Sequence, residues 1–315
     1  MKKTSAKVSS PFFPGFRRLE IHAGGVNFVG VIGGDGPPVL LLHGYPQTHI
    51  AWRRVAPVLA EKYTVIIPDL PGYGASRAHA MVPRWTKRRV GAALVALMRH
   101  LGHDRFAIAG HDRGARVGYR LALDHPTRVS AFASLTVVPT LDAMEAVDFR
   151  VASRAFHWFF LSQEADLPER MLAAAPDEFI NRALSKMAGG RDVIEPAALD
   201  AYRAAFRIPA VRHAMCEDYR AAMYEDLALD RADRAAGRKM SCPVLVLWPE
   251  AETAPGQQTL IAIWQQWATE VSGSATRGGH LQPEEAPEEV LAALLPFLAT
   301  NARTENAACL SPIRP

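Results

Sequence analysis

Gly110-His111-Asp112-Arg113-Gly114 decides how this 315-residue chain is read. Before it runs Arg105-Phe106-Ala107-Ile108-Ala109, short and apolar, which reads as a buried strand. After it runs Ala115 to Leu123, with apolar residues at helical spacing. Gly-x-Asp-x-Gly between a strand and a helix reads as a nucleophile elbow with aspartate in the nucleophile's place. Both glycines suit such a turn, because a Cβ at either position would meet the neighbouring chain. The plainer alternative is a glycine-rich turn with a solvated aspartate, and the segments on either side weigh against it.

Outward from the elbow, strands alternate with helices. Arg17 to Val31 reads as two strands around a turn at Gly24-Gly25, and Val39-Leu40-Leu41-Leu42 as a buried strand ending in His43-Gly44-Tyr45-Pro46. Trp52 to Glu61 reads as a helix, Tyr63 to Ile67 as a strand, and Thr86 to Leu101 as an amphipathic helix feeding the elbow strand. Val129 to Val138 reads as one more strand. From Leu141 to Arg238 the period is helical, with helix starts at Pro168, Pro176 and Pro196. A strand returns at Cys242 to Trp248, and Thr259 to Thr269 and Pro283 to Leu298 close the core as helices. The expected class is α/β: a mostly parallel sheet with helices on both faces, residues 15–140 and 239–300 forming the core and 141–238 a helical cap inserted in it. Residues 1–14 and 301–315 are expected to be flexible tails.

Composition excludes several classes. Apolar residues make up 49% and charged residues 22%, and the net charge is +4. That balance is mild and no long Lys/Arg block stands out, so nucleic-acid binding is not expected, whereas a small anionic substrate is compatible. Cys216, Cys242 and Cys309 are too widely spaced for a disulfide framework or a metal-ligand pair. Met1 to Lys7 is basic but no apolar stretch follows, and no run reaches membrane-spanning length, so a cytoplasmic setting is expected. No metal or organic cofactor is implied. His100 and His103 end a helix, Trp264 and Trp267 are expected to pack the core, and Lys87-Arg88-Arg89 reads as a solvated patch.

Beyond the strand ends of an open parallel sheet lies the crevice where ligands bind. Three segments reach it: the elbow, His43-Gly44-Tyr45-Pro46, and Gly278-Gly279-His280. Asp112 as nucleophile needs a base to activate water, and His280 is the late histidine placed to serve. Arg113 and Arg116 stand three apart in the first turn after Asp112 and share a helix face. Cations at a helix N-terminus oppose its dipole by roughly 0.3–1 kcal/mol each. Two guanidiniums binding a substrate carboxylate would account for that placement.

Elbow order, the size of the insertion and the late Gly-His resemble the capped α/β-hydrolases. Within them, Gly-His-Asp-Arg-Gly-Ala-Arg, His43 to His49, Asp69-Leu70-Pro71-Gly72-Tyr73-Gly74, His157-Trp158 and Cys216-Glu217-Asp218-Tyr219-Arg220 are similar to the fluoroacetate dehalogenases. The resemblance covers roughly Phe16 to Leu298. It implies a hydrolytic dehalogenase acting on a small 2-haloacid through an aspartyl ester. Asp112 would attack, His280 would activate water, and Arg113 and Arg116 would hold the carboxylate. His157, Trp158 and Tyr219 would receive the halide, and the backbone N–H groups of Tyr45 and Arg113 would form the oxyanion hole. A homodimer would be like the family.

Departures from the family pattern stand beside the matches. The family carries an aspartate in the segment Leu135 to Thr140 that orients the histidine, and this chain has Thr136 there. Other capped hydrolases place the acid after the next core strand, where this chain has Trp248-Pro249-Glu250-Ala251-Glu252. Glu252 is therefore the expected acid, with Glu250 second. Two pocket aromatics of the family also lack counterparts, with Ala143 and Ser185-Lys186-Met187 near their places. Two rival readings stay open: an epoxide hydrolase using Tyr219 and Tyr224, and a catalytically weak binding protein for which Thr136 is the best support.

Overall fold

The computed structural model describes residues 10–80, 82–250 and 259–302. Nine strands form one sheet: β1 (Arg17–Ala23), β2 (Val26–Gly33), β3 (Pro38–Leu42), β4 (Thr64–Pro68), β5 (Arg77–Ala78), β6 (Phe106–His111), β7 (Val129–Leu135), β8 (Val244–Pro249) and β9 (Val271–Thr276). Their order is β1-β2-β4-β3-β6-β7-β8-β9, with β5 pairing β2. From β4 to β9 all neighbours are parallel, while β1, β2 and β5 pair antiparallel. β3, β6 and β7 are buried at every residue, as central strands covered on both faces must be.

Helices α1 (Ala56–Leu59), α2 (Lys87–His100), α3 (Arg113–Asp124), α12 (Leu260–Gln265), α13 (Gln282–Glu285) and α14 (Pro287–Asn301) belong to this sheet. Eight more helices lie between the adjacent parallel strands β7 and β8: α4 (Thr140–Glu145), α5 (Phe149–Arg154), α6 (Phe156–Leu161), α7 (Leu167–Ala174), α8 (Pro176–Met187), α9 (Pro196–Phe206), α10 (Pro209–Ala221) and α11 (Leu227–Ala235). Proline within the first turn starts α7, α8, α9 and α10, where its missing N–H leaves no bond unmade. A π-helical turn, Ala222–Asp226, joins α10 to α11.

Four expectations are corrected. β9 (Val-Ser-Gly-Ser-Ala-Thr) is a strand that the residue pattern hides, because an edge strand with exposed small polar residues carries no apolar alternation. Trp52 to Glu61 is not one helix: a 3₁₀ turn, His49–Trp52, precedes the single turn of α1. Phe13 is not part of a loose leader; it is fully buried and stacks on His49 at 5.6 Å. Lys87 is not solvated but buried at the start of α2, paired with Asp218 and Asp226.

Sheet order places the site. The chain runs from β3 to β4 on one side and then crosses to β6 on the other, so the loops after β3 and β6 diverge from neighbouring strand ends. Close approach there demands glycine. A Cβ on Gly44 would stand 2.5 Å from Asp112 Cβ, one on Gly110 2.6 Å from the Ala115 backbone, and one on Gly114 2.3 Å from the Leu42 carbonyl oxygen. Asp112 itself takes φ 50° and ψ −115°, a strained backbone for a residue with a side chain. Its carboxylate is thereby lifted off the end of β6, ahead of α3. Gly114→Ala pushes a methyl into backbone, so it should lower unfolding stability by more than about 2 kcal/mol or abolish soluble expression. A melting temperature equal to that of the unmodified chain would contradict this reading of the turn.

Candidate active site

Asp112 is buried between three loops, and its two oxygens have different surroundings. Oδ1 accepts a 2.8 Å hydrogen bond from the Tyr45 backbone N–H. Oδ2 lies 3.6 Å from His280 Nε2. Burial opposes the charge on Asp112, but the His280 ring and the Arg113 guanidinium outweigh it and hold the carboxyl far below the usual carboxylate range. The aspartate is therefore ionised, oriented and only partly committed.

Flanking histidines brace this arrangement. His43 Nδ1 faces the Gly44 carbonyl at 3.0 Å, and its Nε2 accepts from Leu70 N–H at 2.9 Å, which fixes a neutral ring with the proton on Nδ1. His111 Nε2 donates to the His280 carbonyl oxygen at 2.7 Å. Burial, and then the His280 ring, bring the His111 pKa down to about 4.

Of the three arginines of α3, Arg113 and Arg116 lie beside Asp112, in different states. Arg113 donates through Nε to Asp218 Oδ2 at 2.6 Å and through Nη2 to the Asp218 carbonyl at 2.9 Å, and its guanidinium lies 4.3 Å above the Tyr219 ring. Burial opposes its charge, but Asp218 prevails and raises its pKa. Asp218 also accepts from Lys87 Nζ and from Tyr73 Oη at 3.0 Å. Arg116 is only 4% exposed, yet its hydrogen bond goes to a neutral group, Thr140 Oγ1, at 3.1 Å, and its guanidinium lies 5.6 Å from the Trp158 ring. Among the described residues it has no carboxylate partner. Burial, and then the charge of Arg113, lower its pKa. A buried guanidinium without an anion is costly unless a ligand supplies one.

Helices α6 and α10 bring aromatic rings over the loop after β3. The His157 ring stacks on Tyr45 at 5.6 Å, and Tyr219 meets both, 5.3 Å from Tyr45 and 5.7 Å from His157. Trp158 stands 6.3 Å from His157. Burial lowers the His157 pKa to about 4, so its ring is neutral near neutral pH. The structure thus gathers Asp112, His280, Tyr45, Arg113, Arg116, His157, Trp158 and Tyr219 at one place. It does not gather Tyr224, which is 64% exposed on the π-helical turn.

Thr136 follows β7 with φ 71°, and its hydroxyl donates to the adjacent Leu135 carbonyl at 2.7 Å. It offers His280 no negative charge. Glu252 lies outside the described residues, and Glu250 is exposed just after β8. Among the described residues no group of three or more His, Cys, Asp or Glu side chains is placed to hold a metal ion. Nor is any helix among them long and apolar enough to cross a membrane.

Comparison with known proteins agrees with this geometry. A family profile described as alpha/beta hydrolase fold matches residues 37–266. A fluoroacetate dehalogenase from a Burkholderia species is 39% identical over 291 residues, covering 91% of this chain and 95% of that protein. A soluble epoxide hydrolase from a Corynebacterium species is 30% identical over 273 residues, covering 85% of this chain and 92% of that protein. Among solved structures, a Pseudomonas aeruginosa protein described as a candidate epoxide hydrolase, in a threonine-to-aspartate mutant with bound MFA, is 53% identical with a TM-score of 0.89. The match covers 92% of this chain and 98% of that one.

The buried histidines have a consequence for stability. An unfolded chain protonates histidine near pH 6.5, whereas folded His111 and His157 resist protonation until about pH 4. Between those values the unfolded state holds more protons, so stability falls as pH is lowered. The melting temperature should decline from about pH 6.5 downward, less steeply in His111→Asn, which removes one titrating ring. Identical pH profiles for the two proteins would contradict the assignment.

Proposed function

We propose that this chain, which belongs to the α/β-hydrolase fold family, hydrolyses the carbon–halogen bond of a small 2-haloacid such as a haloacetate, fluoroacetate included. The observation that carries the proposal is Arg116, a buried guanidinium without a carboxylate partner, one helical turn from an ionised elbow aspartate. A substrate carboxylate completes that site. Similarity to a fluoroacetate dehalogenase supports the same substrate class.

The chemistry follows from the two oxygens of Asp112. Oδ2 attacks the α-carbon; a C–O bond forms, the C–X bond breaks, and halide leaves with the bonding pair. His157, Trp158 and Tyr219 supply N–H and O–H donors for that halide, and among the described residues none of the three spends its side-chain donor on a protein acceptor. Oδ1 becomes the carbonyl oxygen of the ester and already lies on the Tyr45 N–H, with the Arg113 N–H as the second donor of the hole. His280 then takes a proton from water, the hydroxide adds to Cγ, and collapse releases the alkoxide, which recovers the proton as the 2-hydroxy acid. The helices between β7 and β8 act as a cap that keeps bulk water from the ester. With Thr136 unable to support the imidazolium, Glu252 takes that task, and Glu250 is second.

Epoxide hydrolysis through the same carboxylate is the second reading, supported by the epoxide hydrolases among the relatives. It needs cap hydroxyls to protonate the epoxide oxygen. Tyr219 is in place for that, but Tyr224 is exposed, and the reading leaves Arg116 without an anion.

Halide release from fluoro-, chloro- and bromoacetate, followed together with intact mass, tests the proposal. Sustained release is expected. Arg116→Met should lower kcat/KM by about a hundredfold or more, since it removes one partner of a buried charge pair. Glu252→Gln should slow turnover and let the ester accumulate. No release and no adduct, with turnover of a small epoxide instead, would overturn the dehalogenase reading.

A further inference from the structure

The loop that carries His280 is held from three directions by groups outside the reacting set. Glu285, at the end of α13, has a side chain that is 0% exposed. Its Oε2 accepts from the Gly279 N–H at 3.0 Å and its Oε1 from the Leu281 N–H at 2.8 Å. One carboxylate therefore brackets His280 through the residues on either side of it. The His280 carbonyl is held in turn by His111. The third direction comes from the helical insertion: Arg191 Nη2 pairs with the same Glu285 Oε2.

Several features make this contact a built one. Gly189 and Gly190 take left-handed φ values of 65° and 78° and turn the chain after α8 so that Arg191 comes back toward the core. Gly279 leaves the necessary space, because a Cβ there would stand 2.9 Å from Glu285 Oε2 and 3.2 Å from Arg191 Nη2. The neighbouring Glu284 does a separate task, accepting from Gln47, Tyr202 and Arg53. Only an ionised carboxylate can accept from two backbone N–H groups and a guanidinium at once, since an amide would turn its own N–H₂ toward one of the donors. A buried carboxylate also needs a countercharge, and Arg191 provides it from the other part of the molecule.

We propose that Glu285 is a positioning residue for His280, and that Arg191 makes its alignment depend on the helical insertion sitting over the elbow. The inference rests on the two-step reading, in which Asp112 forms the ester and His280 drives its hydrolysis. It predicts a separation of the two steps, because Glu285 touches neither Asp112 nor the halide donors. General weakening of the fold would slow both.

Single-turnover kinetics with chloroacetate, resolving halide release from loss of the ester mass, provide the test. In Glu285→Gln, ester hydrolysis should slow about tenfold or more through misplacement of the base, with ester formation within about twofold of the unmodified chain. Arg191→Met should show the same split more weakly, and Glu285→Asp, which keeps the charge, should recover part of the loss. Equal slowing of both steps, or unchanged hydrolysis, would overturn the positioning role. Amide hydrogen exchange without substrate gives the independent arm: Gly279 and Leu281 should exchange faster in Glu285→Gln. If the unmodified chain forms no ester, the two-step reading fails, and the exchange arm still decides, unchanged protection of both amides counting against Glu285.

Discussion

A single hydrogen bond, 2.8 Å from the Tyr45 N–H to Asp112 Oδ1, ties the loop after β3 to the elbow after β6. It exists because three glycines let backbone meet backbone: Gly44 under the carboxylate, and Gly110 and Gly114 within the turn. It also makes the two oxygens of one carboxylate inequivalent. The oxygen on the amide is stabilised as an acceptor and the other is left toward His280. On the proposed reading, a nucleophile and an oxyanion hole arise from this one contact before any substrate is present, which is the preorganisation that makes fixed donors effective.

Charge around that contact is arranged in pairs with one member left over. Arg113 is satisfied by Asp218, which also holds Lys87. Asp226, whose pKa burial raises to about 6, lies 3.8 Å from Lys87 as a further partner. Among the described residues Arg116 has no ion-pair partner and is offset only at a distance, by the charges of Asp112 and Asp230. On the proposed pathway Asp112 becomes a neutral ester, so Arg116 would lose that share of the offset. A substrate that brings its own carboxylate keeps the region balanced through both steps, whereas a neutral epoxide does not.

Legibility in the sequence followed the range of the interactions. The elbow, the strand–helix alternation and the proline-led helices are local, and the residues announce them. Gly110 and Gly114 could be read because a sharp turn has few solutions. The burial of Lys87 is not legible, because its partners Asp218 and Asp226 are more than a hundred positions away and on other helices. β9 is hidden because a strand at the sheet edge has no need of an apolar face. Glu285 gives no signal in the sequence at all, since its partners are backbone N–H groups and a distant arginine. Thr136 stands out in the sequence as a missing acid, but its left-handed backbone is visible only in the structure.

On the proposed pathway, Asp112 forms a covalent ester whose own carboxyl carbon is attacked by water. A single turnover in oxygen-18 water, with enzyme in excess over chloroacetate, tests it most directly. Label should appear in the peptide containing Asp112 and be absent from the first-turnover 2-hydroxy acid. Label in the hydroxy acid and none in Asp112 would mean that water attacks the substrate directly, and the nucleophilic role of Asp112 would be contradicted.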